Sequence, residues 1–212
     1  MSGRLIRASE VWDDVMALFD FPGEFRDVHK GLSLSERFNA IRHNYRRKQA
    51  MVDAGIDDWF RSDPYEIANW MAIFTPIESS LWCDIRGRGL DLWPQLPVGR
   101  FFVDFGNPVS RIAVECDGKE WHQDAAKDCA RDQELEAMGW EVVRIPGWMC
   151  NRPILTFSEA QEKHGLEDDE YEEWLDRETP HTSLCIVKDR LEFGKRASQR
   201  RYAAKHGMRY EE

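Results

Sequence analysis

The sequence predicts a mixed α/β fold, because strand-like and helix-like segments follow one another in the middle of the chain. Two runs rich in β-branched and aromatic residues, 100–105 and 111–117, flank a turn-forming Gly-Asn-Pro-Val-Ser segment and predict an antiparallel hairpin. A helical pattern over 124–138 stops at Gly139, and the apolar run 141–145 then returns as a strand.

Helix-start signals appear on both sides of residue 70. Ser33 with Glu36, and Thr75 with Glu78, have the spacing of a capping box, in which each side chain bonds the backbone N–H of the other residue. The helices predicted before the hairpin span 10–19, 33–54 and a segment that begins at 76. Composition shifts suggest three regions: a helical N-terminal region over 1–72, a core over 73–150 and a charged C-terminal extension over 151–212.

Acidic residues interrupt both strands of the predicted hairpin. If the turn pairs Gly106 with Arg111, Asp104 lies opposite Ala113 and diagonal to Glu115, at about 7–8 Å. Buried carboxylates at this separation repel, and the usual remedies are a raised pKa, a basic partner or a divalent cation. Oxygen ligands of this kind suit Mg²⁺ or Mn²⁺. The alternative is a solvated strand edge or a wet sheet face, for which no metal is needed.

A larger set of motifs resembles the PD-(D/E)XK nuclease superfamily, and more narrowly its restriction-endonuclease-like branch related to very-short-patch-repair endonucleases. The resemblance spans about residues 73–150. It is carried by Glu78, Leu81-Trp82, Arg86, Gln95-Leu96-Pro97-Val98-Gly99, Val103-Asp104-Phe105, Val114-Glu115, Asp117-Gly118, His122, Asp128, Arg131 and Gly139-Trp140.

This resemblance implies a restriction-endonuclease-like core, with a central mixed sheet flanked by helices. It also implies a metal-dependent DNA endonuclease or nickase that uses Mg²⁺ or Mn²⁺ to hydrolyse phosphodiester bonds. Asp104 and Glu115 would be the metal ligands, and the backbone carbonyl of Cys116 a third, with the thiol itself incidental.

Two positions depart from the superfamily pattern. Val103 stands where the motif name has proline, which is a common change. Asp117 stands where the superfamily usually has lysine, so either Lys119 supplies the missing cation or His122 acts as the base, for which its near-neutral titration is suited. A catalytically inactive DNA-binding module of the same fold is therefore the first alternative function, and an assembly or regulatory protein is the second.

Three further residues are candidates for supporting roles. Glu78 is expected to orient a second ion or its waters, to cap its helix, or to do both. Gln95 is a candidate contact to substrate phosphate or a metal-bound water, against the alternative of an ordinary polar loop residue. Arg131 is expected either to reach a phosphate or to form a surface ion pair with Asp128.

The net charge of −10 is distributed unevenly. Residues 159–178 hold ten acidic and two basic residues, which suggests a flexible solvating linker or a competitor of DNA for the basic tail. Residues 195–209 carry six basic residues and no acidic one. This tail can neutralise phosphates, although a solvated helix face is the alternative. The expected DNA contacts there are Arg196, Arg200 and Arg201.

Composition suggests a cytoplasmic protein of a bacterium or its phage. No run approaches the roughly 20 apolar residues of a membrane span, and no secretion signal is expected. The five cysteines show no Cys-x-x-Cys spacing, which argues against a zinc site or a disulfide framework. DNA is the expected partner, and the flanking regions leave room for a homodimer or a protein partner.

Overall fold

The structure is a computed structural model that describes residues 23–118, 125–205 and 207–209. The chain divides into two compact units, Met1–Asn69 and Trp70–Glu212. The helix predicted over 10–19 lies outside the described residues.

The first unit is built around helix α1, Leu34–Asp53, which begins with the predicted capping box of Ser33 and Glu36. Lys48 on this helix is fully buried, and its Nζ lies 2.5 Å from Asp57 and 2.7 Å from Glu66. A buried ammonium group is tolerated only when carboxylates compensate it, so these contacts fix the loop after α1 against the helix.

The second unit contains a sheet and the helices that cover it. Its helices are α2 (Pro76–Gly87), α3 (Ala125–Ala137), α4 (Gly147–Cys150), α5 (Phe157–His164), α6 (Asp168–Glu178) and α7 (His181–Lys205). Its strands are β1 (Trp93–Val98), β2 (Phe101–Asn107), β3 (Ile112–Asp117) and β4 (Glu141–Pro146). None of the helices in the described part of the chain combines the length and apolar character that crossing a bilayer requires.

The sheet confirms the predicted fold class. Within the described residues its order is β1-β2-β3-β4, with the first two pairings antiparallel and β3–β4 parallel. The crossover between β3 and β4 passes through α3, as a parallel pair requires. This mixed sheet flanked by helices is consistent with a restriction-endonuclease-like fold.

The hairpin register differs from the predicted one by two residues. Gly106 pairs with Ala113 and Asn107 with Ile112, whereas Arg111, which was expected to pair with Gly106, lies in the turn at φ +51°. The cause is Asn107, whose buried side chain accepts hydrogen bonds from the N–H groups of Val109 and Ser110 and so extends β2 before the turn begins.

The apolar face of the sheet is covered by α2, α4 and α7. Phe105 of β2 stacks on Trp82 of α2 with ring centroids 5.7 Å apart. The same core takes in the following residues of β3, β4 and α7: Ile112, Val114, Ile145, Leu184, Val187 and Leu191. The C-terminal helix therefore contributes directly to the core of this unit.

The acidic stretch is helical, so the interpretation of it as a flexible linker is wrong. It forms α5 and α6, which bury Ala160, Trp174 and Leu175 in a small core of their own. Sequence charge suggested a solvated chain, but Tyr171, Trp174 and Leu175 stand at i, i+3 and i+4 on α6 and give this helix an apolar face that packs against Ala160 of α5.

Glycine 147 is expected to be sensitive to any side chain. An added Cβ would lie 2.8 Å from the carbonyl oxygen of Asp117, a backbone atom at the end of β3. We expect Gly147→Ala to lower the free energy of unfolding by about 1–3 kcal/mol, as overpacking does elsewhere. Gly87→Ala is the matched control, because nothing lies within 4 Å of a Cβ there. Urea denaturation should show the control unchanged or stabilised by about 0.5–1 kcal/mol, and equal effects in the two variants would contradict the assignment.

Candidate active site

Polar side chains form one row across the sheet. Glu115 pairs with Arg144 of β4, and continuing the β2–β3 register by one residue sets Asp104 opposite Glu115. Gln95 lies between the β1 residues that pair with Phe105 and Val103, which sets it opposite Asp104. The two carboxylates therefore belong to the residues that follow the last β2–β3 pair, Phe105 with Val114, rather than to the predicted diagonal.

Asp104 is held by the backbone of the neighbouring strand. Its Oδ2 accepts a hydrogen bond of 2.8 Å from the Cys116 N–H. Burial raises the pKa of Asp104 to about 6, and the charge of Glu78 adds to the rise, while the Cys116 N–H and Arg131 oppose it. One carboxylate oxygen is thus fixed by the sheet, and the proton affinity of the group is well above that of an exposed aspartate.

Glu115 is the more deeply buried of the pair, with only 4% of its surface exposed. Its Oε1 accepts a hydrogen bond of 2.7 Å from Arg131 of α3, whose same nitrogen also donates to the carbonyl of Phe102. Burial raises the pKa of Glu115 to about 8, with a further rise from the charge of Asp104 and opposing effects of Arg131 and Arg144. Arg131 therefore compensates this carboxylate only in part.

Asp117 is engaged in a separate ion-pair network. Its Oδ1 accepts 2.7 Å from Arg144, and the same guanidinium donates two bonds to Asp132 of α3, at 2.6 and 3.1 Å. The guanidinium of Arg144, which comes from β4, is therefore shared between these two carboxylates.

Glu78 caps α2, as one of its two expected roles requires, and it also contacts Gln95 of β1. Its Oε2 accepts from the backbone and hydroxyl of Thr75, completing the capping box of α2, while its Oε1 accepts 2.6 Å from Gln95. Gln95 has φ +47°, a left-handed backbone that a non-glycine residue adopts only when its surroundings enforce it. The helix cap is thereby linked to the row of residues that contains Asp104.

The donor set suits a hard divalent cation. Asp104 Oδ1 and Glu115 Oε2 are the carboxylate oxygens not used in the contacts described above, and they lie on adjacent strands. Among the described residues no three His, Cys, Asp or Glu side chains converge into a complete metal centre. A cation here would rest on two carboxylates, backbone oxygen and water, which is the kind of coordination that Mg²⁺ usually keeps.

The Cys116 thiol points away from this set. It packs against the apolar core, and its contact with the Cys150 thiol, together with burial, raises the pKa of Cys116 far above its usual range. The thiol therefore stays protonated. The Cys116 carbonyl accepts 3.1 Å from the Gly118 N–H, and it retains a second lone pair.

The remaining predicted residues lie elsewhere. Lys119 and His122 fall outside the described residues. Arg196, Arg200 and Arg201 line a cavity beside Val109 and Ser110 of the β2–β3 turn, so the structure does not bring them onto the carboxylate row.

Sequence reasoning missed Arg144 and Asp132. A signal for Arg144 was present, since an arginine interrupts the apolar run of β4 in the same way that Glu115 interrupts β3. Asp132 gave no local signal, because an aspartate on a charged helix is ordinary and its partner is 12 residues away.

The comparisons with known proteins cover the same part of the chain. Residues 78–153 match the model of REase_MTES_1575, a restriction-endonuclease-like family. A 71-residue segment is 36% identical to the uncharacterized protein YcjD of Escherichia coli (strain K12), covering 32% of this chain and 61% of that protein. The comparison with solved structures gave no significant match. The family match indicates a nuclease-type function, and the narrower relationship to very-short-patch-repair endonucleases stays a prediction.

The raised pKa values predict that stability falls as pH rises. Unfolded Asp and Glu titrate near pH 4, whereas folded Asp104 and Glu115 titrate near 6 and 8. Between these values the folded chain holds more protons than the unfolded chain, so the free energy of unfolding falls through this window and levels off above about pH 8.

Urea denaturation from pH 5 to pH 9, without divalent cations, measures this effect. We expect the free energy of unfolding to decrease by about 2–4 kcal/mol less over this pH range in Glu115→Gln than in the wild type. Glu162→Gln, which removes an exposed carboxylate on α5, should leave the profile unchanged. A wild-type profile that rises over this range, or that Glu115→Gln does not flatten, would contradict the burial of this charge.

Proposed function

We propose that this protein is a metal-dependent DNA endonuclease or nickase. The proposal is carried by the neighbouring carboxylates of Asp104 on β2 and Glu115 on β3, both with raised pKa values and neither fully compensated by a basic side chain. Two such carboxylates cost folding free energy, and a site for a divalent cation is the arrangement in which they have a use. The match of residues 78–153 to a restriction-endonuclease-like family supports the same reading.

Asp104, Glu115 and the Cys116 carbonyl would hold Mg²⁺ or Mn²⁺. When bound, such an ion polarises the phosphodiester and lowers the pKa of water. The protein's own contribution is positioning: the Cys116 N–H fixes Asp104, and the contact between Glu78 and Gln95 sets the edge of the site next to it. Lys119 and His122 are proposed from the sequence as the residues that stabilise charge or take a proton.

Arg131 has a double role in this proposal. It neutralises Glu115 through a 2.7 Å contact and is also about one quarter exposed, so it is within reach of a substrate phosphate. A cation held by Glu115 would compete with this guanidinium for the carboxylate. Arg131 would then be available to donate to the phosphate oxygens, for which its geometry is suited.

A catalytically inactive DNA-binding module is the second candidate, and one contact favours it. Asp117 stands where the superfamily has lysine, and Arg144 is tied to both Asp117 and Asp132, so it is not directed at the position of a substrate. An assembly or regulatory role, by contrast, gains nothing from opposed buried carboxylates.

Cleavage assays distinguish the two candidates. We expect the wild-type protein to nick or linearise supercoiled plasmid or branched DNA with Mg²⁺ or Mn²⁺ but not with EDTA. Asp104→Asn and Glu115→Gln should lower the rate by at least about 100-fold, because each removes a metal ligand, while DNA affinity is retained. Glu162→Gln is the control and should cleave like the wild type. Cleavage that survives Glu115→Gln would overturn the site, and binding without cleavage would favour the inactive module.

Thermal shifts test the competition between Arg131 and a cation directly. At pH 8, Mg²⁺ or Mn²⁺ should raise the melting temperature of the wild type. The increase should be larger in Arg131→Met, because the cation then no longer competes with the guanidinium for Glu115. Glu115→Gln should show little cation response. An equal response in all three proteins would place the cation elsewhere.

A further inference from the structure

A cavity lies at the turn of the hairpin whose strands carry the carboxylates. Its volume is about 640 Å³, within the range of ligand pockets. It is lined by Val109 and Ser110 of the turn and by Phe193, Gly194, Arg196, Ala197, Arg200 and Arg201 of α7. All of these α7 residues lie outside the segment that matches the nuclease family.

The cavity is formed by a close approach of helix and turn. Any Cβ at Gly194 would collide with the side chain of Ser110, so glycine is what allows α7 to meet the turn here. Lys195 next to it pairs with Asp91, which holds the helix at the start of β1. The Ser110 hydroxyl is buried against Gly194 and has no hydrogen-bond partner among the described residues, which shows how closely the helix and the turn approach each other.

The α7 wall combines positive charge with an exposed aromatic ring. Phe193, Arg196, Ala197, Arg200 and Arg201 follow the i, i+3, i+4, i+7, i+8 spacing of one helix face. The Phe193 side chain is 73% exposed, an unusual position for a large apolar ring. No acidic residue occurs between Lys195 and Arg209, so the face continues as a positive surface to the end of the helix.

We propose that this cavity binds a single-stranded segment of DNA, with one unpaired base stacked on Phe193 and the adjoining phosphates held by the arginines. Aromatic rings among cationic side chains are the typical arrangement for single strands, because every base has a face to stack and every linkage a charge to neutralise. In a duplex the bases stack on one another, which leaves Phe193 without a partner.

The location gives this site a place in the proposed reaction. Asp104 lies on β2, and the cavity lies at the turn that follows this strand. We therefore expect a branched DNA to place its duplex arm at the carboxylates and its single-stranded arm at the end of the sheet, where α7 meets the turn. As a statement about substrate this rests on the proposed nuclease function. The class of substrate it indicates is DNA with an unpaired segment, such as a flap or a fork.

Fluorescence anisotropy in EDTA tests the site without any cleavage. A labelled thymidine oligonucleotide and a blunt duplex are titrated against wild-type protein, Phe193→Ala and the double variant Arg196→Gln/Arg201→Gln. The control is Arg177→Gln/Arg190→Gln, which removes the same charge from exposed side chains outside the cavity. Melting temperatures confirm that each variant is folded.

We expect Phe193→Ala to weaken binding of the oligonucleotide about tenfold, with no change in its salt dependence or in duplex affinity. The double variant should reduce the slope of log affinity against log salt by about 1.4, and the control should retain the cavity-dependent preference for the oligonucleotide. Equal losses on duplex and oligonucleotide, unchanged binding in Phe193→Ala, or a wild type that binds no single strand would each overturn the inference.

The two proposals fail in different ways. If a forked substrate is cleaved with Mg²⁺ but Phe193→Ala binds the oligonucleotide like the wild type, the cavity assignment fails and the nuclease stands. If Phe193→Ala loses single-strand binding but no metal supports cleavage, the cavity stands and the nuclease proposal fails.

Discussion

The burial of two carboxylates side by side is the constraint on which the polar face of the sheet depends. Two neighbouring negative charges repel strongly once water is removed, so each carboxylate needs a compensating contact. Asp104 accepts a hydrogen bond from the Cys116 N–H, and Glu115 accepts one from the Arg131 guanidinium. Arg131 comes from α3, so this helix has to lie over the polar face, and the bridge from Arg144 to Asp132 fixes it there a second time.

Apolar packing on the opposite face of the sheet offsets the unfavourable free energy of burying these charges. Trp82 stacks on Phe105 in a core that α2 and α7 share, and fully buried Ile112 and Val114 alternate with the polar residues along β3. Because side chains alternate along a strand, the same short segment carries the core on one side and the charges on the other. A strong core allows a strained and charged site to persist, which also explains how Gln95 keeps a left-handed backbone.

Much of this organisation could be predicted from local patterns. The capping boxes at Ser33 and Thr75, the helix that stops before Gly139 and the strand that ends at Pro146 are all present, since caps and breakers act within a few residues. The hairpin register could not be predicted, because it depends on a buried side chain, Asn107, that reaches beyond its own strand. The ion pair between Arg144 and Asp132 could not be predicted for a similar reason. It joins a strand to the helix that precedes it in the chain, and no spacing rule describes such a contact. For the acidic stretch the prediction was wrong for a different reason. It gave the net charge more weight than the few apolar residues through which α5 and α6 pack.

Asn107 connects the two proposed sites. Its Nδ2 donates to the carbonyl of Asp91, and its Oδ1 accepts from the N–H groups of Val109 and Ser110. The first contact locks β2 against the start of β1, and the second fixes the turn. The register of β2 against β3 and the position of Ser110 in the turn therefore both depend on this side chain. A buried amide with all of these partners specifies a single arrangement, so the proposed metal site and the proposed binding cavity are built on the same hairpin.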